Sequence, residues 1–234
     1  MLKKVLREIF FIILLYTICT LGGLIFLLLR LTGRINLLGT KNLKKEGMGI
    51  LVVANHPSYL EAIFLPYLFF PKFLLSPFRD LPWSTPDYQN ILAPRGLFWL
   101  RYLHMIPIYR GGNYADTKKN AASHRLMLNV LEWKGTVILF PEGGRTKSDP
   151  HRIRSKKGKE MRPLQPITER IQRMTHCMIL PVWIDGTDKV LPHGKRFPQF
   201  WKARVIVKIG RPIEKPITTA ELENVLLELA DVEL

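Results

Sequence analysis

Two short polar blocks carry the residue types of acid–base and anion-binding chemistry. The first, Asn55-His56-Pro57-Ser58-Tyr59-Leu60-Glu61, sets an imidazole and a carboxylate in a His-x4-Glu spacing. The second, Phe140-Pro141-Glu142-Gly143-Gly144-Arg145-Thr146, sets two glycines between a carboxylate and a guanidinium. An imidazole bonded to a carboxylate takes a proton from a hydroxyl, while the carboxylate fixes its tautomer and steadies the imidazolium. His56 and Glu61 fit those two roles. In the second block Gly143 and Gly144 let the backbone approach a ligand closely, Arg145 can fork onto a phosphate, and Glu142 can accept a bond from a substrate hydroxyl. No serine or cysteine occupies a nucleophile elbow, so the simplest chemistry has His56 activate an acceptor hydroxyl directly. Backbone amides near the second block would then serve the oxyanion.

The elements around these blocks must bring them to one place. Ile50–Ala54 and Thr136–Phe140 are β-branched apolar runs that read as buried strands, so both blocks fall at strand C-terminal ends, where open α/β sheets hold their ligands. His56 precedes Pro57, which pushes His56 toward an extended conformation and suits Pro57 to a first helical position. This reading makes His56 the cap of a helix, folded back over the first turn toward Glu61. Met105–Tyr109 reads as a further strand, ending at Arg110-Gly111-Gly112 and placing a third basic group at a strand end. Phe64–Phe78, interrupted by Pro66, Pro71 and Pro77, reads as core or interface, and Leu92–Arg101 as a second apolar, aromatic helix; Phe64–Phe78 and Leu97–Leu103 are also candidate linings for an apolar tunnel. Thr117–Lys134 is a helix stopped by Gly135, Arg145–Arg162 a strongly basic loop facing water or phosphate, and Ile167–Met174 a helix. Strands at Met178–Ile184 and Ala203–Ile209, joined by a turn through Gly186 and Gly194, lead to a last helix, Ala220–Leu229, with a capping box in Thr218 and Glu221. The alternation predicts a single α/β domain with a mixed central sheet flanked by helices.

The chain has 234 residues, 47% of them apolar and 23% charged, which suits a globular domain with a sizeable core. An excess of 35 Lys and Arg over 19 Asp and Glu gives a net charge of +16 and favours a polyanionic partner. Ile9 to Leu29 carries no charge and as a helix extends about 31 Å, a bilayer's hydrocarbon thickness. It exceeds a signal-peptide core and lacks a small-residue cleavage site, so residues 1–34 are expected to form a retained membrane helix, with Gly22-Gly23 as a bend, and residues 35–234 the catalytic domain. Basic residues on both flanks lean weakly toward a cytoplasmic domain. Two cysteines, Cys19 and Cys177, support neither a disulfide framework nor a thiolate metal site. The histidines outside the first block lack metal-ligand spacing, and the chemistry requires no metal and no cofactor.

His-x4-Glu followed by Phe-Pro-Glu-Gly-Gly-Arg-Thr resembles the glycerolipid acyltransferase family, typified by 1-acylglycerol-3-phosphate acyltransferases. Ile106-Pro107-Ile108-Tyr109-Arg110-Gly111 is similar to that family's second motif, and Ile179-Leu180-Pro181-Val182-Trp183-Ile184 to its fourth. The resemblance covers roughly residues 35 to 213 and implies an acyl thioester donor, acyl-CoA or acyl-carrier protein, and a lyso-glycerophospholipid acceptor. It implies His56 and Glu61 as the catalytic pair, and Arg110, Glu142, Gly143 and Arg145, with Gly111 and Gly144 beside them, as substrate-binding residues. The expected product is phosphatidic acid from 1-acylglycerol-3-phosphate, made at the cytoplasmic face of the inner membrane, with an anionic membrane and no nucleic acid as partner. The alternatives are a lyso-aminolipid, another lysophospholipid or a glycolipid as acceptor. Two different classes are a non-catalytic, membrane-anchored polyanion binder and an inactive scaffold. Two departures stand out: Glu61 replaces the commoner Asp and must absorb an extra methylene, and Gly144 precedes Arg145 where many members have Thr.

Overall fold

Strands buried on both faces read as unbroken apolar runs, and such runs build the centre of this molecule. The computed structural model describes residues 2–43, 47–75, 80–93, 104–110, 117–148, 150–192 and 197–233. The main sheet comprises β1 (Ile35–Leu38), β2 (Ile50–Ala54), β3 (Trp83–Ser84), β4 (Thr136–Leu139), β7 (Met178–Asp185) and β8 (Val205–Ile209), in the order β1-β8-β7-β2-β4-β3. β3, β4, β2 and β7 run parallel; β8 is antiparallel to β7, and β1 is parallel to β8. The sheet is therefore mixed, with β2 at its centre between β4 and β7.

Alternate residues of β2 feed two cores. Ile50, Val52 and Ala54 join a cluster with Leu180, Val182, Val207, Phe64, Leu65 and Phe26. Leu51 and Val53 face Met127, Val130 and Leu131 of helix α4 (Thr117–Glu132), Ile171 of α5 (Ile167–Thr175), and Leu222 and Leu226 of α7 (Thr219–Asp231). The first layer holds α1 (Leu2–Leu31), the short α2 (Leu60–Phe64), a 3-10 helix at Leu65–Phe69 and the single turn α3 (Lys72–Leu75). A second single turn, α6 (Thr187–Val190), follows β7. The capping box expected at Thr218 and Glu221 is present and starts α7.

Helix α1 runs without interruption through Gly22-Gly23. Those glycines admit two aromatic rings: a Cβ at Gly22 would lie 2.0 Å from Tyr67 Oη, and one at Gly23 would lie 2.2 Å from Phe70 Cδ2. Phe26 completes the seam, 6.1 Å from both Phe64 and Tyr67. Leu15, Cys19 and Phe26 are buried on this face, whereas Phe10, Ile13, Leu24, Ile25 and Leu28 on the other faces are exposed. Residues 9–31 are long and apolar enough to cross a membrane.

Three expectations are revised. Met105–Tyr109 is held to residues 84–88 only by isolated parallel bridges, because Pro86 and Pro107 remove ladder donors. The basic tract after Arg145 folds into a 3-10 turn (Thr146–Ser148) and a hairpin of β5 (Ile153–Arg154) and β6 (Glu160–Met161). Arg152 and Arg154 clasp Glu160 at 2.7 and 2.8 Å, and Ser155 Oγ donates to Asp231 at 2.6 Å, which ties the hairpin to α7. The expected helix at Leu92–Arg101 and the Gly194 turn fall largely outside the described residues, as do residues 76–78 and 97–103 of the expected tunnel lining.

Gly23→Leu is expected to cost about 1–3 kcal/mol, the usual range for overpacking a well-filled contact. Thermal unfolding in detergent should show the loss for Gly23→Leu and little change for Leu24→Ala, since Leu24 is exposed.

Candidate active site

The parallel register sets Val53 opposite Leu139, so the chain leaves β2 and β4 side by side at the same sheet edge. The two polar blocks therefore meet. His56 lies just beyond β2, and its Nδ1 stands 2.7 Å from Glu61 Oε1. A carboxylate can only accept, so Nδ1 carries the proton and Nε2 is left as a base. The ring of Phe140 stacks on the imidazole, 4.5 Å between centroids and 24° between planes, and Tyr59 meets it edge-on at 6.4 Å.

Glu61 is fully buried and is oriented by more than His56. The Ser58 amide donates to Oε1 at 2.6 Å and the Ser58 hydroxyl to Oε2 at 3.0 Å. This is how the longer glutamate is accommodated: the side chain folds back over the turn that opens α2. Leu60 N in turn donates to Ser58 Oγ at 3.0 Å. The expectation that His56 caps the helix is corrected, because α2 begins at Leu60 with Tyr59 as its N-cap, and the Leu60 amide is taken up by Ser58 Oγ just ahead of it. Ser58-x-x-Glu61 is a capping-box spacing, and that signal was available in the sequence.

Glu142 has a different place from the one its motif suggests. Its side chain is 1% exposed, and its oxygens accept from His56 N at 2.6 Å, Thr146 Oγ1 at 2.9 Å and Arg162 N at 2.8 Å. Thr146 N also donates to His56 O at 2.8 Å. The carboxylate that the sequence reading offers to a substrate hydroxyl is thus occupied by protein, and it locks the first block to the second. Burial raises the Glu142 pKa above the ordinary carboxylate value, and the bonds from Arg162, His56 and Thr146 oppose the rise.

Gly143 has a φ of +70°, and a Cβ there would lie 2.4 Å from Gln165 Nε2, so the turn requires glycine. Its amide is spent on Phe140 O at 3.3 Å and is not an oxyanion donor. Arg110 Nη1 donates to Gly143 O at 2.7 Å, which holds its guanidinium beside the glycine turn. Burial pulls the Arg110 pKa down, opposed by Asp87 and reinforced by Arg162. Arg145 lays its guanidinium 4.5 Å from the centre of the Tyr59 ring. Arg110 thus contacts the Gly143 carbonyl and Arg145 the Tyr59 ring; Gly144 lies between Gly143 and Arg145, and Gly111 is outside the described residues.

Two asparagines escaped sequence reasoning. Asn55 exchanges two bonds with the backbone of Ile184, at 2.9 and 2.7 Å, and so fixes the first block to β7. Asn120 of α4 does the same to Tyr109, at 2.9 and 2.8 Å, and sets the position of Arg110. Neither carries a local signal, since each depends on a partner remote in sequence. A cleft of 660 Å³ opens beside the blocks, with Arg110, Phe140, Gly143, His124 and Arg170 in its walls. Burial and the nearby Arg170 both hold the His124 pKa below its ordinary value. Among the described residues no cluster of three or more His, Cys, Asp or Glu could hold a metal.

The family model described as Acyltransferase matches residues 34–185, most of the chain. The chain belongs to the Acyltransferase family. Its fold is similar to the crystal structure of the 1-acyl-sn-glycerophosphate (LPA) acyltransferase PlsC from Thermotoga maritima, with a TM-score of 0.60 and 20% identity over 97% of this chain and 84% of that one. No curated protein sequence matches. The glycerolipid acyltransferase resemblance and the mixed α/β fold with its N-terminal apolar helix both hold. As an acyltransferase domain, this one builds its polar edge where β2 and β4 end together.

Glu142→Gln is expected to destabilise the domain by about 1–3 kcal/mol, because an amide nitrogen would face donors. The pH dependence has a defined sign. A carboxyl whose pKa is raised by folding favours the folded state most below its unfolded pKa and loses that contribution as pH rises through the folded value. The stability gap between the native protein and Glu142→Gln should therefore narrow as pH rises from about 4. Denaturant titrations at several pH values measure it.

Proposed function

We propose that the protein transfers a fatty acyl chain from a thioester, acyl-CoA or acyl-carrier protein, to the free hydroxyl of a lyso-glycerophospholipid, with 1-acylglycerol-3-phosphate as acceptor and phosphatidic acid as product. The observation that carries this reading is the His56–Glu61 pair, bonded at 2.7 Å and set against the glycine block. His56 Nε2 removes the acceptor's hydroxyl proton as the oxygen attacks the thioester carbonyl. Glu61, bonded to Nδ1, keeps the base in the reactive tautomer and offsets the charge of the imidazolium. The tetrahedral intermediate collapses by breaking the C–S bond, and the imidazolium returns the proton to the leaving thiolate. An ester and a free thiol result, with no acyl-enzyme.

The acceptor's phosphate is assigned to the cleft that holds Arg110. Arg110 and Arg170 make that cleft cationic, and Arg110 is drawn down in pKa by its burial, so an anion there would restore what burial removed. Arg145, which follows Gly144 and packs on Tyr59, is assigned the steering of the same headgroup toward His56. Glu142 contributes by position alone. The exposed apolar faces of α1 would lie in the lipid from which the acceptor arrives, with the basic domain on the cytoplasmic side of the inner membrane.

Purified protein in detergent, given palmitoyl-CoA or palmitoyl-carrier protein and a panel of lyso-lipids, should form phosphatidic acid from 1-acylglycerol-3-phosphate. His56→Ala should reduce the rate by about 10²–10⁴-fold, the usual worth of a general base. Glu61→Gln should approach that loss while leaving acceptor affinity intact. His56-dependent product only from another lyso-lipid would reassign the acceptor; no product from folded protein with any pair would favour a polyanion-binding role indifferent to His56.

A further inference from the structure

A second cleft, of 580 Å³, lies on the opposite flank of β2 from the Arg110 cleft. Asn55, Pro57 and Thr146 form one wall, so the cavity abuts the backbone on both sides of His56, and Thr146 is the residue whose amide holds His56 O. The remaining walls come from the C-terminal end of β7, α6, the hairpin and the approach to β8. The acids that line it are already neutralised. Asp188 pairs with Lys147 at 2.7 Å, Asp185 with Lys159 at 3.0 Å, and Glu160 with Arg152 and Arg154. Three further lining cations, Lys189, Lys202 and Arg204, have no acidic partner among the described residues. Gly186, at φ +85°, passes so close to the Arg204 carbonyl that a Cβ would lie 2.1 Å from it, which brings the 202–204 segment against the end of β7. Trp183, also in the lining, is 1% exposed, and its indole N–H lacks a partner among the described residues. The cavity thus combines surplus positive charge with contact with the backbone on both sides of His56.

We propose that this cleft binds the phosphopantetheine phosphate of the acyl donor, the group that CoA and acyl-carrier protein share. The inference rests on the acyl-transfer reading and adds where the second substrate enters. Two anionic substrates must meet at one imidazole, and two cationic clefts flank the strand that carries it. With the acceptor's phosphate on the β4 side, the donor's phosphate on the β7 side lets the thioester carbonyl reach His56 from the other direction without competition between like charges. Lys189, Lys202 and Arg204 supply the counter-charge.

The test separates binding from turnover. Equilibrium binding of 4′-phosphopantetheine, unphosphorylated pantetheine and CoA is measured on the full-length protein and on a Lys189→Ala/Lys202→Ala/Arg204→Ala variant, with the exposed Lys215→Ala as control. The native protein should bind 4′-phosphopantetheine at least about tenfold more tightly than pantetheine, and the triple variant should lose that preference. In the transfer assay the KM for the thioester should rise about tenfold in the triple variant while the acceptor KM stays within about twofold. A rise with the CoA thioester, the carrier thioester or both supports the proposal and identifies the donor. Equal affinity for pantetheine and its phosphate, or a triple variant that binds like the native protein, overturns it. Weakened binding to phosphatidylglycerol vesicles with an unchanged donor KM also overturns it and gives the cations to the membrane. A phosphate preference in protein that acylates none of the acceptors would uphold the cleft and refute the acceptor instead.

Discussion

Glu142 accepts from the amide of His56, the hydroxyl of Thr146 and the amide of Arg162, and so ties three segments together at the end of the sheet. Parallel pairing brings β2 and β4 to a common edge, but pairing ends with the strands, and everything beyond must be held by other bonds. A buried carboxylate suits that work because each oxygen takes more than one donor, and leaving it unsatisfied would be costly. His56 can then be presented on irregular chain without losing its position. Asn55 and Asn120 extend the same device sideways, with side-chain amides standing in for the missing ladder at β7 and at the Arg110 segment.

The frame was readable in the sequence because both faces of the strands are buried. Ile50–Ala54 and Met178–Asp185 admit almost nothing but apolar residues, and the reading of both strands holds to within a residue. Helices α4, α5 and α7 follow from periodicity and caps. What escaped depends on partners remote in sequence. That Met105–Tyr109 forms bridges instead of a full strand is decided by prolines on both sides of the pairing, Pro86 and Pro107. The basic tract hid a hairpin because Arg152, Arg154 and Glu160 spend their charges on one another. In the candidate site the His56–Glu61 contact was legible from spacing, whereas the role of Glu142 was not: a glutamate beside glycines looks the same whether it faces a ligand or a neighbouring backbone.

The charges of the domain sort accordingly. Much of the +16 excess is scattered over the surface, but cations gather in both clefts that border β2. Between them lies the pair to which the proposed reaction assigns the proton transfer, one imidazole and the carboxylate bonded to it.

Phe140 covers one face of that imidazole, Glu61 holds Nδ1, and Glu142 and Thr146 pin the backbone on either side. These contacts favour one ring orientation, in which Nε2, the nitrogen away from Glu61, points along a single line within the ring plane. In the proposed acyl transfer, regiochemistry would follow from that line. A polyol held by its headgroup offers several oxygens at different heights, and only the one that crosses the line can be deprotonated. The choice of hydroxyl becomes a matter of reach from an anchoring point, fixed by the stacking of one phenyl ring before affinity for any particular lipid enters.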